Sequence, residues 1–208
     1  MTRVAGVLAL AAAAAACAGR ARPPIVQPGA PGAPARVIGA HAAADIAGVV
    51  HTAAEARFVR RMIAHHAQAL EMTALVPSRS LDPLMRKLAE RIELSQADEI
   101  RFMREWLDAR GERAPASGEP HDHGDAVPGM LTAEELQRLA AAAGAAFDRL
   151  FLELMIKHHE GALAMVAELL AAPDGTSDPE LFAFATSVET DQRMEIARMR
   201  AMLEERRR

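Results

Sequence analysis

Two distant segments of this 208-residue chain carry the same residues at the same spacing, and this internal repeat limits its possible folds most strongly. The first segment contributes Phe58, Met62, His65, His66, Ala69, Leu70 and Met72, and the second contributes Phe151, Met155, His158, His159, Ala162, Leu163 and Met165. In both segments apolar residues recur every three or four positions, which is the spacing of one face of an α-helix. The sequence therefore predicts two copies of one helical unit.

The segments that follow each copy also resemble one another. Glu93, Gln96, Glu99, Ile100, Met103 and Leu107 recur as Glu189, Gln192, Glu195, Ile196, Met199 and Leu203. A helical hairpin on its own leaves its apolar face exposed, so two hairpins are expected to pack face to face. The sequence thus predicts an all-α fold, a four-helix bundle made of two repeated helical hairpins with one long crossover, as in ferritin-like bundles.

Capping residues set the predicted boundaries of this bundle. Thr52 and Glu55 form a capping-box pattern at the start of the first helix, and Thr132 with Glu135 repeats the pattern in the second half. The bundle is predicted over residues 51–208, with hairpin one at 52–110, a linker at 111–131 and hairpin two at 132–205.

Composition excludes several classes of function. The net charge of −4 and the even mixing of acidic and basic residues do not supply the positive field that nucleic-acid binding requires. A single cysteine cannot form an intrachain disulfide or a zinc site with several thiolates. The chain also lacks a Gly-rich phosphate loop and a recognisable pairing of nucleophile and base, so no enzymatic reaction is predicted.

The first residues match a secretory signal peptide. Arg3 precedes an apolar run from Val4 to Ala16, which is too short to span a bilayer. Residues 1–17 are therefore a predicted signal peptide. The end of this run, Ala14-Ala15-Ala16-Cys17, is similar to a bacterial lipoprotein cleavage box, although Ala replaces the usual Leu. Cys17 is the predicted lipidation site and membrane anchor, and a plain cleaved signal with an incidental cysteine is the alternative.

Residues 18–50 are rich in Pro, Gly and Ala and hold few large apolar side chains. Such a segment cannot bury a core, so it is predicted to be a flexible tether. The predicted location is the cell envelope, as a membrane-anchored lipoprotein or as a free periplasmic or extracellular protein.

Each predicted first helix places histidines and methionines on its apolar side. At about 100° per residue, one narrow stripe contains Phe58, Met62, His65, Ala69 and Met72. His66 lies beside this stripe, although histidine has only an intermediate tendency to be buried. The Met and His residues recur in the second copy, whereas neighbours such as Gln68 and Gly161 differ between the copies. This pattern favours a metal site; the alternative is a hydrogen-bonded histidine core with methionine as ordinary filling.

The type of ligand indicates which metal such a site would hold. Thioether sulfur suits Cu(I) and imidazole suits copper in either oxidation state, whereas Mg²⁺ and Ca²⁺ prefer oxygen. The predicted ligands are Met62, His65, His66, Met72, Met103, Met155, His158, His159, Met165 and Met199. The residues predicted to orient the imidazoles are Gln96, Glu99, Gln192 and Glu195. Copper is therefore the expected ion, with Cu(I) favoured.

The linker between the hairpins offers a further group of ligands. His121 and His123 lie in an acidic stretch, and Met130 follows it. A His-x-His pair of this kind can capture a metal ion weakly and pass it to the bundle. A solvated linker without a metal role is the alternative.

At these residues the sequence resembles the DUF305 family over residues 52 to 205. The resemblance rests on Met62-Ile63-Ala64-His65-His66, on the segment from Phe147 to Ala162, and on Gln-x-x-Glu-Ile-x-x-Met at Gln96 and Gln192. Val127-Pro128-Gly129-Met130 is similar to a Met-Pro-Gly-Met segment common in the family, with Val replacing the first Met. The resemblance implies an exported protein with a ferritin-like helical bundle and, for some members, a link to copper binding and resistance.

Three functions remain open from the sequence. The first is an exported metal-binding protein that sequesters or transfers copper, with a homo-oligomer or a copper-handling partner left undetermined. The second is a ferritin-like di-iron redox enzyme, which needs Glu-x-x-His where this chain has Glu93-x-x-Gln96 and Glu189-x-x-Gln192. The third is a metal-free interaction module.

Overall fold

The computed structural model describes residues 25–27, 36–38, 51–115, 127–173 and 175–207. The chain divides into two compact units, Met1–Gly48 and Val49–Arg208. The predicted signal peptide, including Cys17, and most of the predicted tether lie outside the described residues.

The described part of the first unit consists of two short antiparallel strands. Strand β1 (Ile25–Gln27) pairs with β2 (Arg36–Ile38), so that Ile25 lies opposite Ile38. Sequence analysis predicted no strand in this Pro- and Gly-rich segment. The physical reason for the difference is local, because both strands carry β-branched Val and Ile, which favour extended backbone.

Six helices make up the described part of the second unit, and the prediction of an all-α fold is confirmed. They are α1 (Ala53–Thr73), α2 (Val76–Arg79), α3 (Pro83–Asp108), α4 (Ala133–Ala141), α5 (Gly144–Ala171) and α6 (Pro179–Arg207). Both capping boxes form, with Thr52 and Glu55 before α1 and Thr132 and Glu135 before α4. None of the described helices combines the length and the apolar character that crossing a bilayer requires.

A proline and a glycine lie at two of the helix boundaries. Helix α1 stops at Thr73, and Pro77 lies in the first turn of the short helix α2, where its missing N–H costs nothing. Gly144, the first residue of α5, has a φ of 57°, which lets the chain change direction after α4.

The four long helices enclose two apolar cores. Helix α1 packs along α3, α5 packs along α6, and α1 also packs against α5, so the first helices of the two hairpins join them. The first cluster, called core A, includes Ala69, Ile92, Phe151 and Ile196. The second cluster, called core B, includes Phe58, Ile100, Val166 and Val188. Each core therefore takes side chains from all four long helices.

Equivalent ion pairs fasten the ends of α3 and α6. Arg110, two residues after α3, binds Asp178, which lies just before α6. Arg206, at the end of α6, binds Asp82, the N-cap residue of α3. The repeat maps one pair onto the other, so the two hairpins are related by approximate two-fold symmetry.

Candidate metal centre

A layer of polar side chains separates core A from core B. On α1, Ile63 belongs to core B and Ala69 to core A, and the change occurs across His65 and His66. The other long helices change core at equivalent residues. The resulting histidine layer consists of His65, His66, Gln96, Glu99, His158, His159, Gln192 and Glu195.

His65 and His158 meet at the centre of this layer. Their rings stack with centroids 3.6 Å apart and an angle of 29° between the planes. Both side chains are fully buried, and neither nitrogen of either ring makes a hydrogen bond of normal geometry. Four imidazole nitrogens are therefore enclosed in the bundle without a satisfied partner.

The outer histidines of the layer are held by carboxylates on the second helices. His66 Nε2 lies 2.6 Å from Glu99 Oε2, and His159 Nε2 lies 2.7 Å from Glu195 Oε2. An ionised carboxylate only accepts hydrogen bonds, so Nε2 is the donor in each pair. In a neutral imidazole with this bond, Nδ1 is the nitrogen without a proton. Both Nδ1 atoms are buried without a hydrogen-bond partner.

Burial keeps the central pair neutral. Loss of hydration, followed by repulsion from His158 and the other histidines, holds the pKa of His65 well below its ordinary value. The pKa of His158 is lowered in the same way, first by burial and then by its histidine neighbours. The carbonyl of Pro128 lies near enough to His65 to oppose this shift in part. Neutral imidazole is the form that binds metal ions.

Several buried polar atoms of the glutamines in this layer have no hydrogen-bond partner in the protein. Gln96 and Gln192 are 1% and 2% exposed, and Gln96 Nε2, Gln96 Oε1 and Gln192 Oε1 have no hydrogen-bond partner. Each unsatisfied buried polar group costs about 1–3 kcal/mol, so such groups call for a ligand or a functional explanation. A metal ion coordinated by the imidazoles fits this requirement.

The structure sorts the six predicted methionine ligands into two groups of three. Met62, Met103 and Met165 lie in core B. Met72, Met155 and Met199 lie in core A. The repeat maps one group onto the other, and each group draws on both hairpins. All six are at most 2% exposed.

Among the described residues, no three His, Cys, Asp or Glu side chains are grouped so that they could hold one metal ion together. The ring centroids lie 6.1 Å apart for His65 and His66 and 6.2 Å apart for His158 and His159. The predicted site therefore includes thioether sulfur in addition to imidazole.

A short segment of the linker crosses the two first helices beside the histidine layer. The Gln68 side chain accepts from Leu131 N at 2.7 Å and donates to Leu131 O at 3.1 Å. At the equivalent position on α5, Gly161 packs directly against Pro128 and Gly129, and a Cβ there would lie 2.2 Å from Pro128 O. We call residues 127–131 the strap.

The residues that hold the strap, Gln68 and Gly161, are not among the predicted site residues. They differ between the two copies of the repeat, and this difference is the sequence signal for their separate contacts. Met130 lies half-buried on the strap. His121 and His123 lie outside the described residues, so their role stays a prediction.

The chain belongs to the family described as a domain of unknown function (DUF305), whose family model matches residues 55–203. The resemblance seen in the sequence is confirmed by this match. No curated protein matches the chain.

Several solved structures are similar to this chain. A DUF305 protein from Streptomyces coelicolor, named as a candidate secreted protein, is 32% identical with a TM-score of 0.65, and the match covers 74% of this chain and 93% of that one. A DUF305 fragment from Deinococcus radiodurans is 34% identical with a TM-score of 0.65, covering 74% and 98%. CopM in its Cu(II)-bound form is 28% identical with a TM-score of 0.61, covering 73% and 96%. CopM has also been solved in Cu(I)-bound, Ag-bound and apo forms.

Proposed function

We propose that this DUF305 protein binds copper inside its helical bundle, with Cu(I) as the preferred form, and sequesters the ion or transfers it within the cell envelope. The observation that carries the proposal is the His65–His158 pair, whose four ring nitrogens are buried without hydrogen bonds of normal geometry. Two groups of buried thioethers lie in core A and core B, on the two sides of the histidine layer.

The donor set supports a soft ion. Thioether and neutral imidazole together match Cu(I), and neither carries a charge that would favour a hard divalent cation. His66 and His159 have the arrangement common to metal-binding histidines, in which a carboxylate holds one nitrogen and the other is left for the metal. The similarity to CopM, which has been solved with Cu(I), Cu(II) and Ag, points to the same class of ligand.

The di-iron alternative receives less support from the side chains. A carboxylate-bridged di-iron centre needs Glu residues that project into the bundle. Glu93 is exposed and Glu189 is only half-buried, with its side chain bound to Arg193. Glu99 and Glu195 do reach the layer, but each is already bonded to a histidine.

The proposed place of action is outside the cytoplasm, with Cys17 as a lipid anchor. This part of the proposal rests on the sequence of residues 1–17, and the similar Streptomyces protein is named as a candidate secreted protein. Labelled fatty acid should enter the protein in cells and should fail to enter the Cys17→Ala variant. Equal labelling of both proteins, or none in either, would remove the anchor but not the metal site.

Competition with a Cu(I) chelator tests the proposed function. The wild-type protein should retain Cu(I), and the variant with His65, His66, His158 and His159 all changed to Ala should lose this capacity. His51→Ala serves as the matched control, because His51 lies outside the layer and binds Glu112. Retention of copper by the quadruple variant would refute the proposal, provided that circular dichroism confirms its helical content.

The melting temperature distinguishes a copper-binding protein from a metal-free interaction module. A ligand that binds only the native state at a hundredfold excess over its Kd stabilises it by about 2.7 kcal/mol. Copper should therefore raise the melting temperature of the wild type. An unchanged melting temperature at saturating copper would favour the module.

A further inference from the structure

We propose that the metal ion enters and leaves the bundle through a groove over Met165, between α1 and α5, and that the equivalent end of the bundle is closed. This inference rests on the proposed function and adds a route to it. It is carried by a difference between two ends that the repeat would otherwise make alike.

The groove encloses about 300 Å³. Its floor is formed by Phe58 and Met165, and its walls include Arg57, Arg61 and Glu168. Arg61 Nη1 donates to both oxygens of Glu168, at 3.0 and 3.2 Å, so a polar bridge joins α1 and α5 beside the opening. The Met165 thioether, 2% exposed, therefore lies beneath a groove lined by charged side chains.

The repeat predicts a second groove over Met72, but the residues there are different. Leu150 replaces Arg57, Leu154 replaces Arg61, and Leu75 replaces Glu168. These leucines pack into or against core A together with Met72. Apolar walls of this kind need a cover, because exposed leucines in a cluster are costly in water.

Helix α4 contributes that cover. Leu139 of α4 and Leu131 just before it are buried in the same core as Met72. Lys157 Nζ binds both oxygens of Glu135 at 2.7 Å and so ties α4 to α5. In hairpin one the positions equivalent to α4, residues 40–48, lie outside the described residues. Within the described part of the chain, α4 thus covers the end over Met72, whereas charged side chains line the groove over Met165.

Core B contains two further methionines besides Met165. Met165 lies seven residues beyond His158, which is roughly 10 Å along the helix axis. Met62 and Met103 share core B with Met165 and lie about one turn from His65 and from Glu99 respectively. An ion that arrives at Met165 can therefore pass to sulfur ligands nearer the histidine layer without crossing a charged barrier. Neutral, soft ligands at successive depths suit a monovalent soft cation.

A blocked groove provides the test. Ala54 lines the groove, and the repeat places Phe147 at the equivalent closed position. In the Ala54→Phe variant we expect the rate of Ag(I) uptake to fall about tenfold, equivalent to about 1.4 kcal/mol on the barrier. The number of ions bound at equilibrium should not change. Trp106, the single tryptophan, lies in core B beside Met103 and reports uptake by its fluorescence.

Met165→Leu and Met72→Leu form a matched pair for the same measurement. Met165→Leu should slow uptake, and Met72→Leu should leave the rate within about twofold of wild type, a barrier change below about 0.5 kcal/mol. A second, metal-free readout is mild peroxide treatment of the apo protein with peptide mapping, in which Met165 should be oxidised before Met72.

The outcomes separate this inference from the function on which it rests. Normal uptake by a folded Ala54→Phe variant, or equal slowing by both leucine variants, overturns the route while leaving metal binding intact. Oxidation of Met72 before Met165 overturns it independently of any metal. Failure of the wild type to bind Ag(I) or Cu(I) at all overturns the proposed function, and the route with it.

Discussion

His65 and His158 come from different hairpins, yet their rings stack at 3.6 Å in the middle of the bundle and neither makes a hydrogen bond of normal geometry. Two neutral imidazoles in this position weaken the apo protein, since their four nitrogens have lost water without gaining a hydrogen bond of normal geometry. The protein retains them at the contact between its two halves. Such a cost at a central position is expected of a functional site rather than of a structural core.

The first prediction concerns the stability of the apo protein. The His65→Leu/His158→Leu variant should be more stable than wild type by about 1–3 kcal/mol, because leucine removes buried polar atoms that lack partners. Urea unfolding in the presence of a chelator measures this difference. His51→Leu is the control and should bring no gain, because it breaks the bond to Glu112. A clear loss of stability in the double variant would contradict the account of the pair.

The second prediction concerns pH. The pKa values of His65 and His158 are lowered in the folded state, so the unfolded chain binds more protons once the pH falls below the ordinary value of 6.5. The free energy of unfolding should therefore be fully retained above about pH 6.5 and should decline as the pH falls below it. The His65→Leu/His158→Leu variant should lose most of this decline between pH 7 and 5. An identical slope in both proteins would show that other groups are responsible.

The third prediction concerns the carboxylates that hold the outer histidines. Glu99→Gln and Glu195→Gln should weaken Cu(I) affinity by about 10–100-fold, because an amide no longer fixes the imidazole tautomer that leaves Nδ1 unprotonated. Competition with a Cu(I) chelator gives the affinity. Glu93→Gln, on an exposed position of the same helix, is the control and should bind as wild type does. Unchanged affinity in both layer variants would remove these residues from the site.

The fourth prediction concerns the strap. Gly161→Ala places a Cβ 2.2 Å from Pro128 O and 2.5 Å from Gly129 Cα, so the strap must move away from α5. We expect a loss of about 1–3 kcal/mol in the free energy of unfolding, as for other overpacked contacts. Ala164→Ser, at an exposed site on α5, is the control and should change little. Wild-type stability in Gly161→Ala would mean that the strap is not seated on this glycine.

Much of the fold could be predicted because the bundle is built by duplication. The repeated apolar spacing indicates both long hairpins, and the capping pairs at Thr52 and Thr132 mark where helices begin. Each copy of the repeat contributes one histidine to the contact between the two hairpins. The matching positions of His65 and His158 therefore also indicate that these two residues could meet. These features are local or repeated, and a sequence displays both directly.

The features that break the repeat could not be predicted in the same way. Gln68 and Gly161 hold the strap by unrelated means, one by hydrogen bonds and the other by the absence of a side chain. The three leucines that replace Arg57, Arg61 and Glu168 pack in the same core as Leu139 of α4, and the sequence does not display this contact. Arg206 binds Asp82 because α6 extends to the start of α3. All of these depend on contacts between residues far apart in sequence.

X-ray absorption at the copper edge of the Cu(I)-loaded protein tests the central claim most directly. The account predicts a first coordination shell that contains both imidazole nitrogen and thioether sulfur, with the nitrogen component lost in the variant that lacks His65, His66, His158 and His159. A shell made only of oxygen and nitrogen, or a spectrum that does not change when these histidines are removed, would contradict it.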